Sequence, residues 1–326
     1  MKRPVLIAVA AVLLAAPATA AAQTPAPPPA PPAPAPAPAQ PKFAVEAAKV
    51  FRAGHDLLTL KGKRWVLRGA IAPAAANERL QLLVFRDGKQ IRKVHAVTRA
   101  DGSFSRRFEA NRAGRYSVRV VSPGSAVLAA KTGPKVTVGV FEPRASDGQS
   151  NALVKLLQRS LARLHYAVPT GGTYDAATGR AVMAFRKVNS MARRYDADRA
   201  VIIKALSGKG GFNVRHPDAG RHVEADLSRQ VLALINGRHV VSIYHTSSGA
   251  PATPTVIGSF RVYMKTPGTN AKGMVDSNYF IRGYAIHGYV DVPAFNASHG
   301  CLRIPIPDAA RVFSWLHIGD RVIVYP

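Results

Sequence analysis

Apolar and polar residues alternate along several short segments between residues 43 and 141 of the chain. Every second residue of 115–120 is apolar, and residues 80–85 and 90–97 flank the dipeptide Asp87-Gly88. Alternation of this kind is typical of strands with one buried face, and Asp-Gly favours a tight hairpin turn. Strands at such regular spacing predict an antiparallel β-sandwich over residues 43–141.

The apolar period becomes helical after the polar link that ends near residue 148. One predicted helical face carries four apolar residues, Val154, Leu157, Leu161 and Leu164. Asp175 is the predicted N-cap of a second helix, and a third helix is predicted near residues 198–206. The sequence therefore predicts a small three-helix segment over residues 149–207.

Strand patterns return over residues 221–326. Residues 231–235 and 239–244 flank Asn236-Gly237, which predicts a hairpin with both turn residues left-handed, a type I′ turn. Further strands are predicted at 260–264, 280–281 and 321–325, and a helix is predicted to start at Asp308. The predicted fold class is multidomain and mainly β: an immunoglobulin-like sandwich, a three-helix module and a β-rich C-terminal domain.

The beginning of the chain has the order of an export signal. Lys2 and Arg3 precede an apolar stretch at residues 5–14, and small residues follow. This order predicts a cleavable signal peptide at residues 1–22, and the Pro/Ala-rich residues after it predict an extended linker at 23–42. The expected location is the cell wall or the periplasm, with membrane association as an alternative.

The charge of the chain is strongly positive. Lys and Arg number 45 against 18 Asp and Glu, which gives a formal net charge of +27. Such a surface attracts polyanions, and for an exported protein these are anionic cell-wall polymers or phospholipid headgroups. Nucleic acid is not expected, because the basic residues do not cluster with aromatic ones.

The single cysteine, Cys301, lies in the run Ser-His-Gly-Cys-Leu-Arg at residues 298–303. An unpaired thiol in an exported protein favours a chemical role, although a buried structural cysteine is the alternative interpretation. A nucleophilic thiol must give its proton to an imidazole and form a thiolate–imidazolium pair. His287 and His299 are the two candidate partners.

Other residues near Cys301 suit acyl transfer. The backbone N–H groups of Gly300 and Cys301 are candidates to bind a developing oxyanion, and Arg303 is a candidate to bind a carboxylate. A metal site is not expected, because no second cysteine is present and the histidines lack metal-ligand spacing. No cofactor is expected either.

At residues 223–325 the chain resembles the L,D-transpeptidase catalytic domain of the YkuD type. The resemblance is carried by His287-Gly288, the run at 298–303, Asp308-Ala309 and a last strand that starts Gly319-x-x-Val322. Residues 253–260 also look like that family's Thr-Pro-x-Gly-x-Phe segment, with two additional residues before the glycine.

The resemblance implies roles for individual residues. It makes Cys301 the nucleophile and His287 the base, with the backbone carbonyl of Gly288 orienting that base. His299 and Gly300 would shape the site and its oxyanion hole. Four further residues are expected to contact substrate: Ser298, Arg303, Tyr284 and Phe260.

Residues 150–206 resemble the small three-helix peptidoglycan-binding domain. The shared pattern is Gly-x-Tyr-Asp at 172–175 followed by Thr-x-x-Ala-Val-x-x-Phe at 178–185. The chain departs from it at His165-Tyr166 and at Phe185-Arg186. A generic helical bundle, in which Tyr174 and Phe185 are only core residues, is the alternative. As a wall-binding module, the segment would be dispensable for activity on small soluble peptides.

Together, these resemblances imply an enzyme that acts on peptidoglycan stem peptides. A thioester on Cys301 would form when the terminal D-Ala leaves, and an amine of a neighbouring stem would resolve it into a 3→3 cross-link. Carbapenems are the expected covalent inhibitors. The alternatives are an L,D-carboxypeptidase, attachment of a protein to the wall through the same site, or a non-catalytic structural protein that binds the wall.

Overall fold

The computed structural model of the protein describes residues 36–326. The predicted signal peptide and most of the predicted linker lie outside the described residues. Within residues 36–326, no helix is both long enough and apolar enough to cross a membrane.

The first nine strands form two sheets that enclose one core. They are β1 (Lys42–Ala48), β2 (Phe51–Ala53), β3 (Asp56–Leu60), β4 (Arg64–Ala72), β5 (Arg79–Arg86), β6 (Lys89–Val97), β7 (Ser103–Glu109), β8 (Gly114–Ser122) and β9 (Lys131–Phe141). One sheet has the order β1-β4-β7 and the other β2-β3-β9-β8-β5-β6. Aromatic residues such as Trp65, Phe104 and Phe108 fill the space between them. The predicted sandwich is confirmed, except that β3 pairs with β9 in parallel, whereas the prediction was a fully antiparallel sandwich. Its first strand begins at Lys42, within the predicted linker.

The two predicted hairpin turns differ in the structure. Asp87 and Gly88 both have positive φ, 51° and 84°, as a type I′ turn requires. In the second hairpin Asn236 pairs with His239, so Gly237 is the first turn residue, and its φ is 58°. Asn236 does not have a positive φ. The type I′ prediction for this turn is therefore wrong, because the strand extends one residue further than the turn signal indicated.

Three helices follow the sandwich: α1 (Ala152–Arg163), α2 (Ala176–Val188) and α3 (Arg199–Leu206). Asp175 caps α2 by accepting from the Thr178 N–H at 2.8 Å, as the sequence predicted. Asp198 caps α3 in the same way. The carboxylates at these two positions thus set where the helices begin.

The C-terminal part consists of nine strands and one helix. They are β10 (Arg221–Asp226), β11 (Val231–Asn236), β12 (His239–His245), β13 (Gly258–Arg261), β14 (Met264–Thr269), β15 (Val275–Ile281), β16 (Tyr284–Tyr289), β17 (Leu302–Pro305), α4 (Ile306–Trp315) and β18 (Arg321–Tyr325). One sheet has the order β12-β11-β10-β18-β13, and the other β14-β15-β16-β17. Helix α4 packs on β15, β16 and β17. It starts two residues before the predicted Asp308, directly after Pro305.

The three-helix segment shares one hydrophobic core with its neighbours on both sides. Leu58 of the sandwich, Phe185 of α2 and Ile243 of β12 belong to the same buried cluster. Removing residues 149–207 would therefore expose apolar surface on the C-terminal strands. The expectation that the segment is dispensable for activity on soluble peptides does not fit this packing.

Lys187 of α2 is buried where the helical segment meets the C-terminal strands. Its side chain is 2% exposed, and its Nζ donates to the backbone carbonyls of Gln230 at 3.1 Å and Thr246 at 2.8 Å. Burial, and to a smaller extent the charge of Arg193, lowers the pKa of Lys187 to about 7. A neutral amine has two N–H donors, and these two carbonyls satisfy both of them.

We predict that Lys187 makes stability depend on pH. Between about pH 7 and pH 10 the folded chain loses the Lys187 proton while the unfolded chain retains it, so this group makes the free energy of unfolding rise with pH. Denaturant unfolding of Lys187→Met should show a smaller rise over this range than the wild type. Lys209→Met, which changes an exposed lysine just after α3, is the control and should keep the wild-type rise. Equal pH slopes for all three proteins would contradict the prediction.

Candidate active site

The parallel pairing of β16 with β17 brings the predicted catalytic residues together. The register pairs Ile286 with Leu302 and His287 with Arg303, which sets Cys301 beside Ala285. Side chains alternate between the two faces of a strand, so positions 285 and 287 share a face with 301 and 303. Ile286 and Leu302 point the other way and lie in the core beneath α4.

That shared face lines a cavity of about 400 Å³, here called the catalytic pocket. It is lined by Lys272, Met274, Gly283, His287, Tyr289, His299, Cys301 and Arg303. The structure thus unites the thiol, both candidate histidines and the candidate carboxylate-binding arginine. Sequence analysis missed Lys272, Met274 and Gly283, because they come from turns that carry no motif and reach the pocket only through the sheet.

His287 is buried and held in one tautomer. Its Nδ1 lies 2.9 Å from the backbone carbonyl of Gly288, and a carbonyl can only accept a hydrogen bond. The proton of the neutral ring is therefore on Nδ1, which leaves the Nε2 lone pair to act as a base. Burial lowers the pKa of His287, although the bond to Gly288 opposes this effect.

The Cys301 thiol is partly buried, and its Sγ contacts the Gly283 carbonyl oxygen at 3.8 Å. Burial raises the pKa of the thiol, while the Ala285 N–H and the Arg303 and Lys272 charges act in the opposite direction. Both shifts, up for the thiol and down for His287, favour a neutral thiol beside a neutral imidazole at rest. The thiolate–imidazolium pair expected from the sequence is therefore not the favoured resting state.

Ser298 holds the loop that carries Cys301. Its hydroxyl donates to the Cys301 carbonyl at 2.6 Å and accepts from the Gly300 N–H at 3.1 Å. The Gly300 N–H is thus occupied and is not free to bind an oxyanion, contrary to the sequence-based expectation. The Cys301 N–H has no backbone hydrogen-bond partner among residues 36–326, and it remains the candidate donor. The role of Ser298 is to shape the loop.

Gly300 is fixed by its conformation and by its neighbours. Its φ is +109°, and a Cβ at this position would collide with the Tyr284 ring. Its carbonyl accepts a hydrogen bond of 2.8 Å from the Thr255 hydroxyl. Tyr284, predicted as a substrate contact, therefore packs against the nucleophile loop.

Arg303 presents its charge to the pocket. Its guanidinium carbon lies 4.1 Å from the centre of the Tyr289 ring, and it forms no salt bridge with any residue that the structure describes. It is therefore free to bind a carboxylate.

Phe260 was predicted to contact substrate, but it lies outside the pocket. Its ring is 5.7 Å from that of Phe280 in the core, and it does not line the pocket.

A larger cavity, of about 640 Å³, lies at the edge of the sandwich and holds no nucleophile paired with a base. Its lining includes His55, Asp56, Arg115 and Glu142. Among residues 36–326, no group of three or more His, Cys, Asp or Glu side chains is placed to hold a metal ion. The catalytic pocket is smaller, but it contains the groups that acyl transfer requires.

Comparison with known proteins identifies the family of the C-terminal part. Residues 220–324 match YkuD, the L,D-transpeptidase catalytic domain. A solved L,D-transpeptidase structure (residues 123–326) from Xylanimonas cellulosilytica is 31% identical and covers 56% of this chain and 97% of its own, with a TM-score of 0.53. A search among curated proteins finds no match.

Two solved structures of the E. faecium L,D-transpeptidase catalytic domain also match. The first is 25% identical and covers 33% of this chain and 98% of its own, with a TM-score of 0.29. The second is that domain acylated by ertapenem, 25% identical, covering 32% of this chain and 97% of its own, with a TM-score of 0.28.

We predict that the Cys301 thiol is neutral at rest because its pKa is raised, and that it reacts with alkylating agents only as it loses its proton. The rate of iodoacetamide alkylation should keep rising through and above pH 9, because burial disfavours the thiolate. Arg303→Gln should shift the curve further toward high pH, since it removes a charge that lowers the pKa of the thiol. Arg321→Gln, which changes an exposed arginine on β18, is the control and should follow the wild-type curve. A wild-type plateau below pH 7 would reveal an ion pair and contradict the prediction.

Proposed function

The chain belongs to the L,D-transpeptidase family, and we propose that it forms 3→3 cross-links between peptidoglycan stem peptides through a thioester on Cys301. One observation carries the proposal: a single pocket contains Cys301, His287 with its Nε2 lone pair available, and Arg303, which forms no salt bridge within residues 36–326. These groups supply a nucleophile, a base and a carboxylate-binding cation. The YkuD domain is an acyltransferase domain, which agrees with this set of groups.

In the first half-reaction Sγ of Cys301 attacks the carbonyl carbon of the third residue of a donor stem. The thiol proton passes to Nε2 of His287 as the C–S bond forms, and the Cys301 N–H donates to the oxyanion. The amide C–N bond then breaks, and the imidazolium returns the proton to the leaving amine of the terminal D-Ala. Arg303 binds a carboxylate of the donor.

In the second half-reaction an amine replaces the thiol. The side-chain amine of the third residue of a neighbouring stem attacks the thioester, and His287 accepts a proton from it. The C–N bond forms, the C–S bond breaks, and the proton restores the Cys301 thiol. Because the Cys301 thiol and the His287 imidazole are both neutral at rest, the imidazole is neutral again at the end of each half-reaction, and the thiol is restored at the end of the second.

We also propose that the chain is exported and retained on the wall. The predicted signal peptide supports export, and the three-helix segment resembles a peptidoglycan-binding domain. A groove of about 500 Å³ on this segment, lined by Tyr174, Ala176 and Tyr195 among others, is open to a ligand. The net charge of +27 adds attraction to anionic wall polymers.

We predict that cross-linking depends on Cys301 and His287. Purified disaccharide-tetrapeptide should yield 3→3 dimers and free D-Ala with the wild type, as measured by liquid chromatography and mass spectrometry. Cys301→Ala should abolish turnover, and His287→Ala should lower it by about 10²-fold or more, because each change removes a group that transfers a proton or forms the thioester. His317→Ala, an exposed histidine remote from the pocket, is the control.

Other reaction products would identify a different activity. Release of D-Ala with only tripeptide product would identify an L,D-carboxypeptidase. A wall-linked protein would identify attachment to the wall. Carbapenem should add its mass to the wild type but not to Cys301→Ala, because the strained carbonyl mimics the scissile amide. A folded wild type that neither turns over nor forms this adduct would leave the structural wall-binding alternative.

We predict that the groove on the helical segment retains the protein on the wall in high salt. Ala176→Trp should fill the groove and reduce co-sedimentation with sacculi at 1 M salt, where the Debye length of about 3 Å suppresses attraction by the net charge. Ala200→Trp is the matched control, since Ala200 is also an exposed alanine in the first turn of a helix of this segment. Equal retention of all proteins, or complete release of the wild type by salt, would assign wall binding to charge.

A further inference from the structure

A second cavity, of about 330 Å³, lies between the helical segment and the C-terminal strands. Arg180 and Tyr195 of the helical segment line one side, and His245, Val290 and Ile306 of the C-terminal part line the other. Tyr289 lines both this second cavity and the catalytic pocket. The two spaces are therefore neighbours that share one aromatic wall.

The second cavity adjoins the catalytic pocket on the side where His287 lies. Ala285, His287 and Tyr289 follow one another on the same face of β16, about 6.6 Å apart, and Cys301 lies beside Ala285. Sulfur, imidazole and tyrosine ring thus form a row that ends at the second cavity. The rings of His287 and Tyr289 are 5.6 Å apart and nearly perpendicular. A ligand held in the second cavity would therefore lie one side chain away from His287.

His245 is a buried polar residue in the wall of the second cavity. Its side chain is 2% exposed, and its Nδ1 makes no hydrogen bond to any described residue. Burial, together with the charges of Lys187 and Arg180, lowers the pKa of His245 to about 3, so the ring is neutral. A buried polar group without a partner is unfavourable, and a ligand or ordered water in the cavity would relieve this cost.

Arg180 adds charge to the same cavity. Its Nε lies 3.2 Å from Oδ2 of Asp308, and both side chains are largely buried. Its two terminal nitrogens form no hydrogen bond with the residues that the structure describes, so they can hold a second carboxylate in the bidentate manner that suits a guanidinium. Tyr195, Val290 and Ile306 give the cavity an apolar rim. Cation, neutral imidazole and apolar rim suit the carboxylate end of a short peptide.

We propose that the second cavity binds a carboxylate of the acyl-acceptor peptide and thereby directs the acceptor amine past His287 to the thioester on Cys301. This inference rests on the proposed transpeptidase function. It gives the helical segment a direct part in acceptor selection, through Arg180 and Tyr195. The same two residues also line the groove proposed for wall retention, so the groove and the second cavity adjoin each other.

The test compares two acceptors in the full chain with a saturating tetrapeptide donor. One acceptor is a stem tripeptide with a free terminal carboxylate, and the other is the same tripeptide with a terminal carboxamide. Transfer is followed by mass spectrometry of the product, and acylation is followed separately by the adduct on Cys301. The wild type should reach half-maximal transfer at a roughly tenfold lower concentration of the carboxylate than of the amide.

Two variants alter the cavity in different ways. Arg180→Lys keeps the charge but loses bidentate binding, and Val290→Trp places a large ring at a position that is 84% exposed on the cavity rim. Both variants should raise the concentration of the carboxylate acceptor that gives half-maximal transfer at least fivefold. Both should also reduce the preference for the carboxylate acceptor over the carboxamide acceptor, while the acyl-enzyme still forms. Ile318→Trp, which changes a residue that is 68% exposed elsewhere, is the matched control and should behave as the wild type.

Three results would overturn the inference. Unchanged transfer and preference in both variants would show that no acceptor carboxylate binds there. If the variants acylated Cys301 more slowly but kept the wild-type half-maximal acceptor concentration, the cavity would bind the donor peptide instead of the acceptor. Failure of the wild type to form any acyl-enzyme would overturn the proposed function as well, and this result differs from the first two because it precedes the addition of acceptor.

Discussion

The active site depends on the register between β16 and β17. Ile286, Leu302 and Ile304 face the core and hold this register by burial of their side chains. A slip of one residue would move Leu302 toward the pocket and Arg303 into the core, at the cost of an exposed apolar side chain and a buried charge. The hydrophobic core therefore fixes the position of Cys301 relative to His287, although the core residues themselves do not line the pocket.

The helical segment supports this arrangement from the other side. Lys187 donates to the Thr246 carbonyl, and the Thr246 hydroxyl donates to the Arg303 carbonyl at 2.6 Å. The backbone of Ser247 exchanges two further hydrogen bonds with Arg303. A chain of hydrogen bonds thus connects α2 to the strand that follows Cys301. Together with the shared core, it makes the helical segment part of the catalytic unit.

The sequence predicted those features that depend on residues close together in the chain. The run at 298–303 contains its own chemistry, and Asp175 and Asp198 lie next to the helices that they cap. Ser298 was expected to contact substrate, but its hydroxyl bonds within the loop, because the positive φ of Gly300 turns the backbone toward it. Local pattern alone does not reveal this turn.

Long-range packing accounts for what the sequence did not predict. Lys187 resembles an ordinary exposed helical lysine until β11 and β12 are packed against α2. Lys272 reaches the pocket only because β14 and β15 form a hairpin beside β16. Phe260 matched a family segment, yet its ring contributes to the core. Such positions depend on contacts between residues distant in sequence, which hydrophobic periodicity does not encode.

The neutral resting state of Cys301 affects its reactivity toward oxidants. Thiolates, rather than thiols, react with oxidants, and oxidation of a cysteine to a sulfinic or sulfonic acid is in general irreversible. Burial keeps the thiol protonated, whereas Arg303 and Lys272 stay close enough to stabilise the charge once it forms. The pocket thus combines burial, which keeps the fraction of thiolate low, with two cations that can stabilise the charge of the sulfur.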